Sequence, residues 1–127
     1  MPGIDQIRQR LRPVWEARGE LIALWIFGSV AEGRADKQSD VDLAVLLREQ
    51  LSLYDQALLA EHCMNALGRE DVDLVDIRSV TPLLQHRILT RGAILFERDP
   101  VARVNFQTQA LSIYFDLLPW LERAYAH

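Results

Sequence analysis

The sequence predicts a small α/β domain in which helices pack on a mixed β-sheet. Half of the 127 residues are hydrophobic and a quarter are charged, a composition that supports an ordered core. Short apolar runs of strand length alternate with longer segments of helical periodicity. Capping residues, glycines and prolines separate these segments. The predicted order is α, β, short α, β, α, β, α, β, α, within a single domain over residues 1–127.

The strands are predicted from four short apolar runs. The first, LIALWIF at 21–27, is continuous, as expected of a buried strand. It leads directly into a Gly-Ser turn and one or two helical turns that end at Gly33. The other three runs lie at 41–47, 72–77 and 93–96, and the last is expected to form a short edge strand.

The longer helices are predicted from spacing and from their ends. Apolar residues recur at helical spacing near the N-terminus, at Ile4, Ile7, Leu11, Val14 and Trp15. We expect Pro13 to kink this helix or to begin its second half, and Gly19 to end it. Three later helices begin at cap signals and follow one another along the chain: Ser52 to Gly68, Thr81-Pro82 to Gly92, and Asp99-Pro100 toward Tyr125, with a bend at Pro119.

Charge and composition exclude several classes of protein. The net charge of −4 argues against direct binding of nucleic acid through phosphate neutralisation. No run of about 20 apolar residues is present, so we expect no membrane span. The first residues lack the pattern of a signal peptide, and the single cysteine, Cys63, excludes an internal disulfide framework. We therefore expect a cytoplasmic protein.

Gly28 and Ser29 follow the first predicted strand directly. Glycine allows a sharp turn and the close approach of a ligand, and the N–H groups that open a helix attract anions. The Ser29 hydroxyl adds a donor for a phosphate oxygen. An ordinary strand-to-helix turn is the alternative interpretation.

Two acids, Asp40 and Asp42, stand at the start of the second predicted strand. Residues two apart on a strand point to the same face, so both carboxylates project side by side. Such like charges repel unless a cation lies between them, and hard oxygen ligands suit Mg²⁺. A solvated strand end is the alternative.

A third acid, Asp73, interrupts the apolar strand at 72–77. We expect this carboxylate to be buried and therefore to need a partner. Asp71 lies on the same strand face and Asp76 on the other, and an arginine such as Arg78 is an alternative partner. Acids on facing positions of two strands would form a three-carboxylate cluster. Such a cluster can hold two divalent ions about 4 Å apart.

The stretch FGSVAEGRADKQSDVDLAVLL resembles a known motif. Its G-S-x10-D-x-D pattern is similar to that of the DNA polymerase β-like nucleotidyltransferase superfamily. The resemblance is closer to the minimal nucleotidyltransferase (MNT) domains, whose third-acid strand is similar to DVDLVDIRS. It covers about residues 20–98, weakly so over 85–96. It implies the polymerase β-like fold and a nucleotidyltransferase activity.

The resemblance also implies roles for single residues. Asp40 and Asp42 would bridge two Mg²⁺ ions, and Asp73 would complete the site of the catalytic ion and accept the proton of an attacking hydroxyl. Gly28 and Ser29 would hold the β- and γ-phosphates of ATP. Ser39 would orient the loop at the nucleotide-binding site. Roles for Arg34 and Lys37, in the same loop, are not carried over.

The last predicted helix, at about 100–126, is apolar on more than one face. One stripe contains Val104, Leu111, Phe115 and Leu118, and another contains Ile113, Tyr114, Leu117 and Leu121. The excess suggests a surface for a partner or for self-association, whereas packing of both faces within the domain is the alternative.

The resemblance also suggests what the partner is. MNT proteins are often antitoxins of HEPN-type toxin ribonucleases and transfer AMP from ATP to a toxin tyrosine, releasing pyrophosphate. Two alternatives stay open. One is an antitoxin that acts by binding alone. The other is a small-molecule, antibiotic-type nucleotidyltransferase that is completed by another subunit.

Overall fold

The computed structural model describes residues 2–125 as four strands and five helices. The strands are β1 (Leu21–Phe27), β2 (Val41–Leu47), β3 (Val72–Asp76) and β4 (Ala93–Glu97). The helices are α1 (Ile4–Glu16), α2 (Gly28–Ala31), α3 (Leu53–Leu67), α4 (Pro82–Arg91) and α5 (Pro100–Tyr125). This confirms the predicted order of elements, although residue 126, where the last helix was expected to end, lies outside the described residues.

The four strands form one mixed sheet in the order β3-β2-β1-β4. β1 pairs antiparallel with both β2 and β4, whereas β2 and β3 run parallel. Phe27 of β1 is paired with Asp42 of β2, which is in turn paired with Asp73 of β3. The register therefore brings the end of β1 and the starts of β2 and β3 to the same edge of the sheet.

Helices cover both faces of the sheet. One face packs against α1 and α3 through a core that includes Ile7, Leu11, Trp15, Leu59, Cys63 and Leu67. The opposite face packs against α4 and α5, with Ile88 and Trp25 buried and Phe106 packed against them. α4 and α5 contact the sheet mainly at β1. Much of β2 and β3 on this second face is therefore left uncovered near the strand starts.

Local signals account for several helix ends. Ser52 Oγ accepts a hydrogen bond from the Asp55 N–H at 3.1 Å, and Thr81 Oγ1 accepts one from the Leu84 N–H at 3.3 Å. Both residues are N-caps, as their position before an apolar run predicts. Gly68 ends α3 in the left-handed conformation with φ of 67°.

α1 differs from its predicted end. It ends at Glu16 rather than at Gly19, which lies in the turn that leads to β1. The helix continues through Pro13, whose carbonyl accepts a hydrogen bond from the Ala17 N–H at 3.1 Å. Proline removes only its own N–H from the helix ladder, so the next turn can still form.

α5 exposes much of its apolar surface. Ala110 is its one buried residue, and the exposed large hydrophobic side chains of the helix are Val101, Val104, Ile113, Phe115, Leu117, Trp120 and Tyr125. Others, such as Leu111 and Leu118, are half-buried. Both predicted stripes are thus only partly covered by this domain. Across residues 2–125, no helix combines the length and the hydropathy that a membrane crossing requires.

Candidate active site at the start of β2

The turn after β1 is built on Gly28. This residue has φ of 74°, a conformation that side chains other than glycine disfavour. A β-carbon at this position would also collide with Asp42 Oδ2. The backbone conformation therefore favours glycine, and a side chain here would displace the Asp42 carboxylate. The predicted glycine turn and the acid at the start of β2 are brought into direct proximity.

Asp42 and Asp73 lie side by side across β2 and β3. Val41 and Leu43 point into the α1/α3 core, so Asp42 between them points to the opposite face. Asp73 points to the same face, because its neighbours Val72 and Leu74 pack on the α1/α3 side. Asp40 precedes β2 and is exposed. Asp40, Asp42 and Asp73 are called the acidic site below.

The expectation that Asp73 is buried was wrong. The residue is exposed, although its strand is apolar. The reason is tertiary: β3 is an edge strand, and α4 and α5 lie mainly over β1 rather than over this part of the sheet. Asp73 therefore needs no compensating ion pair. The alternative partner Arg78 instead lies over the Phe106 ring, 5.4 Å from its centroid.

The three carboxyl groups of the acidic site are close enough for their charges to repel one another. Partial burial raises the pKa of the Asp42 carboxyl above its ordinary value, and the charges of Asp73 and Asp40 raise it further. Within residues 2–125, no three carboxylate, imidazole or thiol groups are drawn together tightly enough to hold a metal ion as they stand. Carboxylates repel one another, so a closer approach requires a cation between them. Their hard oxygen atoms fit a divalent cation such as Mg²⁺.

An ion pair that sequence reasoning missed supports the acidic site. Arg69 donates to both carboxylate oxygens of Asp71, with Nε–Oδ1 at 2.7 Å and Nη2–Oδ2 at 2.5 Å. Arg69 Nη2 also donates to the Ser39 carbonyl at 2.9 Å. In the sequence, the only sign of this ion pair is an arginine two residues before an acid. The contact with Ser39 could not be predicted, because it depends on the register of β2 and β3.

The loop before Asp40 is closed by its own hydrogen bonds. Ser39 Oγ accepts from the Asp36 N–H at 2.9 Å and lies 3.3 Å from Asp36 Oδ1, to which it donates. The Gln38 N–H also donates to Asp36 Oδ1, at 2.8 Å. The Ser39 hydroxyl thus shapes the loop that leads to the acidic site. Its predicted place at a bound nucleotide stays a prediction.

Three arginines surround Glu32, directly after α2. Arg34, Arg87 and Arg91 approach its carboxylate at 3.3, 3.5 and 3.7 Å. Although burial acts in the opposite direction, Arg34 and Arg87 lower the pKa of Glu32 below its ordinary value. Glu32 therefore joins the end of α2 to α4, and Arg34, whose role the sequence left open, is a third partner of Glu32. The cluster also carries more positive than negative charge.

A glycine turn beside carboxylates supplies an open backbone and hard oxygen ligands, both of which a metal-assisted phosphoryl-transfer site requires. Comparison with known proteins agrees with this class. The family model described as "Polymerase beta, Nucleotidyltransferase" matches residues 9–101, which is most of the chain. The chain therefore belongs to the polymerase beta nucleotidyltransferase family, as the sequence motif predicted.

Individual relatives are similar in sequence and in structure. The protein adenylyltransferase MntA of Shewanella oneidensis is 36% identical over 77 residues, which are 61% of this chain and 55% of that protein. The match thus spans about half the length of that curated relative. A chain of a toxin–antitoxin crystal structure with AMP-PNP has a TM-score of 0.76 and 29% identity, over 97% of this chain and 94% of that chain.

A second solved structure supports the same fold. It is the complex of the tri-AMPylated Shewanella oneidensis HEPN toxin with an MNT antitoxin. One of its chains has a TM-score of 0.74 and 25% identity, over 95% of this chain and 93% of that chain. The similarity covers nearly the whole chain and therefore includes α5.

Proposed function

We propose that the chain is a magnesium-dependent protein adenylyltransferase that transfers AMP from ATP to a partner toxin and thereby acts as its antitoxin. The observation that carries the proposal is the placement of Gly28 against Asp42, in register with Asp73. The similarity to a named protein adenylyltransferase and to MNT–HEPN toxin complexes supports the acceptor class. The related structure with AMP-PNP supports an adenine nucleotide.

The acidic site supplies the ligands for the metal. Asp40 and Asp42 would hold two Mg²⁺ ions, and Asp73 would complete the site of one of them. When bound, these ions neutralise the triphosphate and stabilise the charge that develops during in-line attack at the α-phosphorus. The partial burial of Asp42 strengthens its electrostatic contribution, because the dielectric there is lower than in water.

The glycine turn would receive the phosphates. The missing side chain at Gly28 leaves its backbone open beside Asp42, so phosphate oxygens can approach both. Ser29 adds a hydroxyl donor for the β- and γ-phosphates. Ser39, through its bonds with Asp36, would hold the loop at the edge of the nucleotide.

The transfer step needs a proton acceptor near the incoming hydroxyl. The acceptor oxygen, for which we propose a tyrosine of the toxin, forms a bond to the α-phosphorus. The bond from the α-phosphorus to the bridging oxygen breaks, and pyrophosphate leaves with its electron pair. The exposed Asp73 carboxylate takes the hydroxyl proton and passes it to solvent.

α5 would provide the surface for the partner. Its exposed apolar side chains include Phe115 and Trp120, which are 61% and 65% exposed. Large apolar side chains exposed in this number along one helix are typical of a protein interface. The helix therefore would bind the HEPN-type toxin, or a second copy of the chain in a larger assembly.

The direct test is transfer of label from α-³²P-ATP to a co-expressed HEPN protein. Asp40→Asn with Asp42→Asn should abolish labelling, and mass spectrometry should locate AMP on a tyrosine in the wild-type reaction. Glu49→Gln, an exposed acid in the loop after β2, is the matched control and should leave labelling intact. Unchanged labelling by the double variant would exclude the acidic site as the catalytic centre.

Neutralisation by binding alone is the second candidate, and the exposed surface of α5 favours it. The same variants separate the two functions in cells. If Asp40→Asn with Asp42→Asn fails to protect against the toxin while the complex still forms, catalysis is required. Full protection by this double variant would assign neutralisation to binding.

A further inference from the structure

We propose that Arg69 is a positioning residue for the acidic site. By bonding the Ser39 carbonyl and the Asp71 carboxylate together, it fixes the starts of β2 and β3 relative to each other. It also keeps the Asp71 carboxylate from competing with the acidic site for divalent cations. The inference rests on the proposed function, since the carboxylates that it positions are those of the proposed catalytic centre.

The contacts of Arg69 are those of a held side chain rather than a solvated one. Its side chain is 17% exposed, and it contacts Asp71 through two nitrogen atoms. A two-point bond between guanidinium and carboxylate fixes orientation as well as distance. Nη2 makes the further bond to Ser39, 30 residues away in the chain. One side chain therefore joins two segments that are distant in sequence.

These two segments lead directly into the proposed ligands. Ser39 is followed by Asp40, and Asp71 stands two residues before Asp73. The Val41 N–H donates to the Asp71 carbonyl at 2.9 Å, which forms a hydrogen bond at the start of the parallel pairing of β2 and β3. Arg69 adds a side-chain bridge next to this bond. Loss of the bridge would release the end of the sheet where carboxylates of both strands must meet.

The second effect of Arg69 concerns the Asp71 carboxylate. Asp71 is a fourth acid at this edge, and its side chain is 38% exposed. The two hydrogen bonds from Arg69 occupy both of its oxygen atoms. Asp71 is thereby kept as a partner of Arg69 and does not compete with Asp73 for a cation.

The test measures Mn²⁺ binding by electron paramagnetic resonance, together with kcat and KM for ATP. Asp71→Asn keeps the bond from Arg69 to Ser39 but replaces the two-point bond to a carboxylate with a weaker bond to an amide oxygen, so it should lose only part of the Mn²⁺ affinity. Arg69→Met with Asp71→Asn removes the bridge without liberating a carboxylate. We expect the double variant to bind Mn²⁺ about tenfold more weakly and to lose kcat by a similar factor, with little change in KM, as for other residues that support metal ligands.

Further variants keep the test decisive. Arg69→Lys retains one charged nitrogen that can reach Asp71 and Ser39, and should recover most of the Mn²⁺ affinity. If the double variant does not fold, Arg69→Gln with Asp71→Asn replaces it, and the same weakening is expected because the neutral amide is too short. Wild-type Mn²⁺ affinity and kcat in a folded variant without the bridge would overturn the proposal. Absence of Mn²⁺ binding and transfer in the wild type would instead reject the proposed function.

Discussion

Gly28 and Asp42 are packed so closely that a β-carbon on residue 28 would overlap Asp42 Oδ2. Gly28→Ala should therefore abolish nucleotide transfer. Gly33→Ala is a matched control, because Gly33 has nearly the same φ of 72° but no atom within 4 Å of where its β-carbon would lie. Both variants should lose about 1–2 kcal/mol of unfolding free energy because of the left-handed conformation. Chemical denaturation and the transfer assay measure the two effects separately.

The comparison of these two variants isolates the collision from the backbone strain. Gly33→Ala should keep its transfer activity despite its lower stability. Equal activity of the two variants would show that contact between the glycine turn and Asp42 has no role in catalysis.

The Asp42 carboxylate should lower the unfolding free energy of the protein. Its carboxyl group is partly buried and lies near the charges of Asp73 and Asp40. Asp42→Asn removes the repulsion and should raise the unfolding free energy at pH 7 by up to about 1 kcal/mol, a value kept small by solvent screening. Urea denaturation without metal measures this change. The matched variant Asp116→Asn, exposed on α5, should leave the unfolding free energy unchanged. A destabilised Asp42→Asn protein would contradict the electrostatic account.

Much of the fold followed from local signals in the sequence. The caps Ser52 and Thr81 and the glycine end at Gly68 depend on neighbouring residues only, so their positions could be predicted. The end of α1 could not, because Gly19 has no signal that distinguishes a helix end from a turn. The proximity of Asp42 to Gly28 could be predicted from the sequence motif. The exposure of Asp73 could not, because it depends on which strands α4 and α5 cover. The Arg69–Ser39 contact likewise required the register of two strands.

Cys63 should make stability depend on pH in the alkaline range. Burial raises the pKa of its thiol from 9.0 to about 11. Below pH 9 the thiol is protonated in both states. Between pH 9 and 11 the unfolded chain loses its proton first, so the unfolding free energy falls as pH rises. The loss at pH 10.5 should be about 2 kcal/mol relative to pH 8.

Cys63→Ala provides the control for this prediction. Its absolute stability will be lower, because a buried side chain is truncated, but it lacks the thiol proton. Urea denaturation at pH 8 and 10.5 should therefore show a smaller alkaline loss for Cys63→Ala than for the wild type. Equal losses in both proteins would rule out the contribution of Cys63.

The exposed apolar surface of α5 should matter for association rather than for folding. Phe115→Ser with Trp120→Ser should change the unfolding free energy by no more than about 0.5 kcal/mol per substitution, because both side chains are exposed. The double variant should no longer form a complex with the HEPN protein, as measured by size-exclusion chromatography. Val101→Ser, at the other end of α5 and 71% exposed, is the control and should retain the complex. Normal association of the double variant would place the interface elsewhere.

Asp40, Asp42 and Asp73 should together hold a divalent cation beside the glycine turn, and every proposed step of the reaction depends on this. Crystals grown with Mn²⁺ and a non-hydrolysable ATP analogue test it most directly, because the anomalous signal of manganese locates the ion. We predict a peak coordinated by Asp42, with oxygen atoms of Asp40 or Asp73 completing the ligand set, and loss of the peak in Asp42→Asn. A nucleotide bound with manganese away from these carboxylates, or an unchanged peak in the variant, would contradict it.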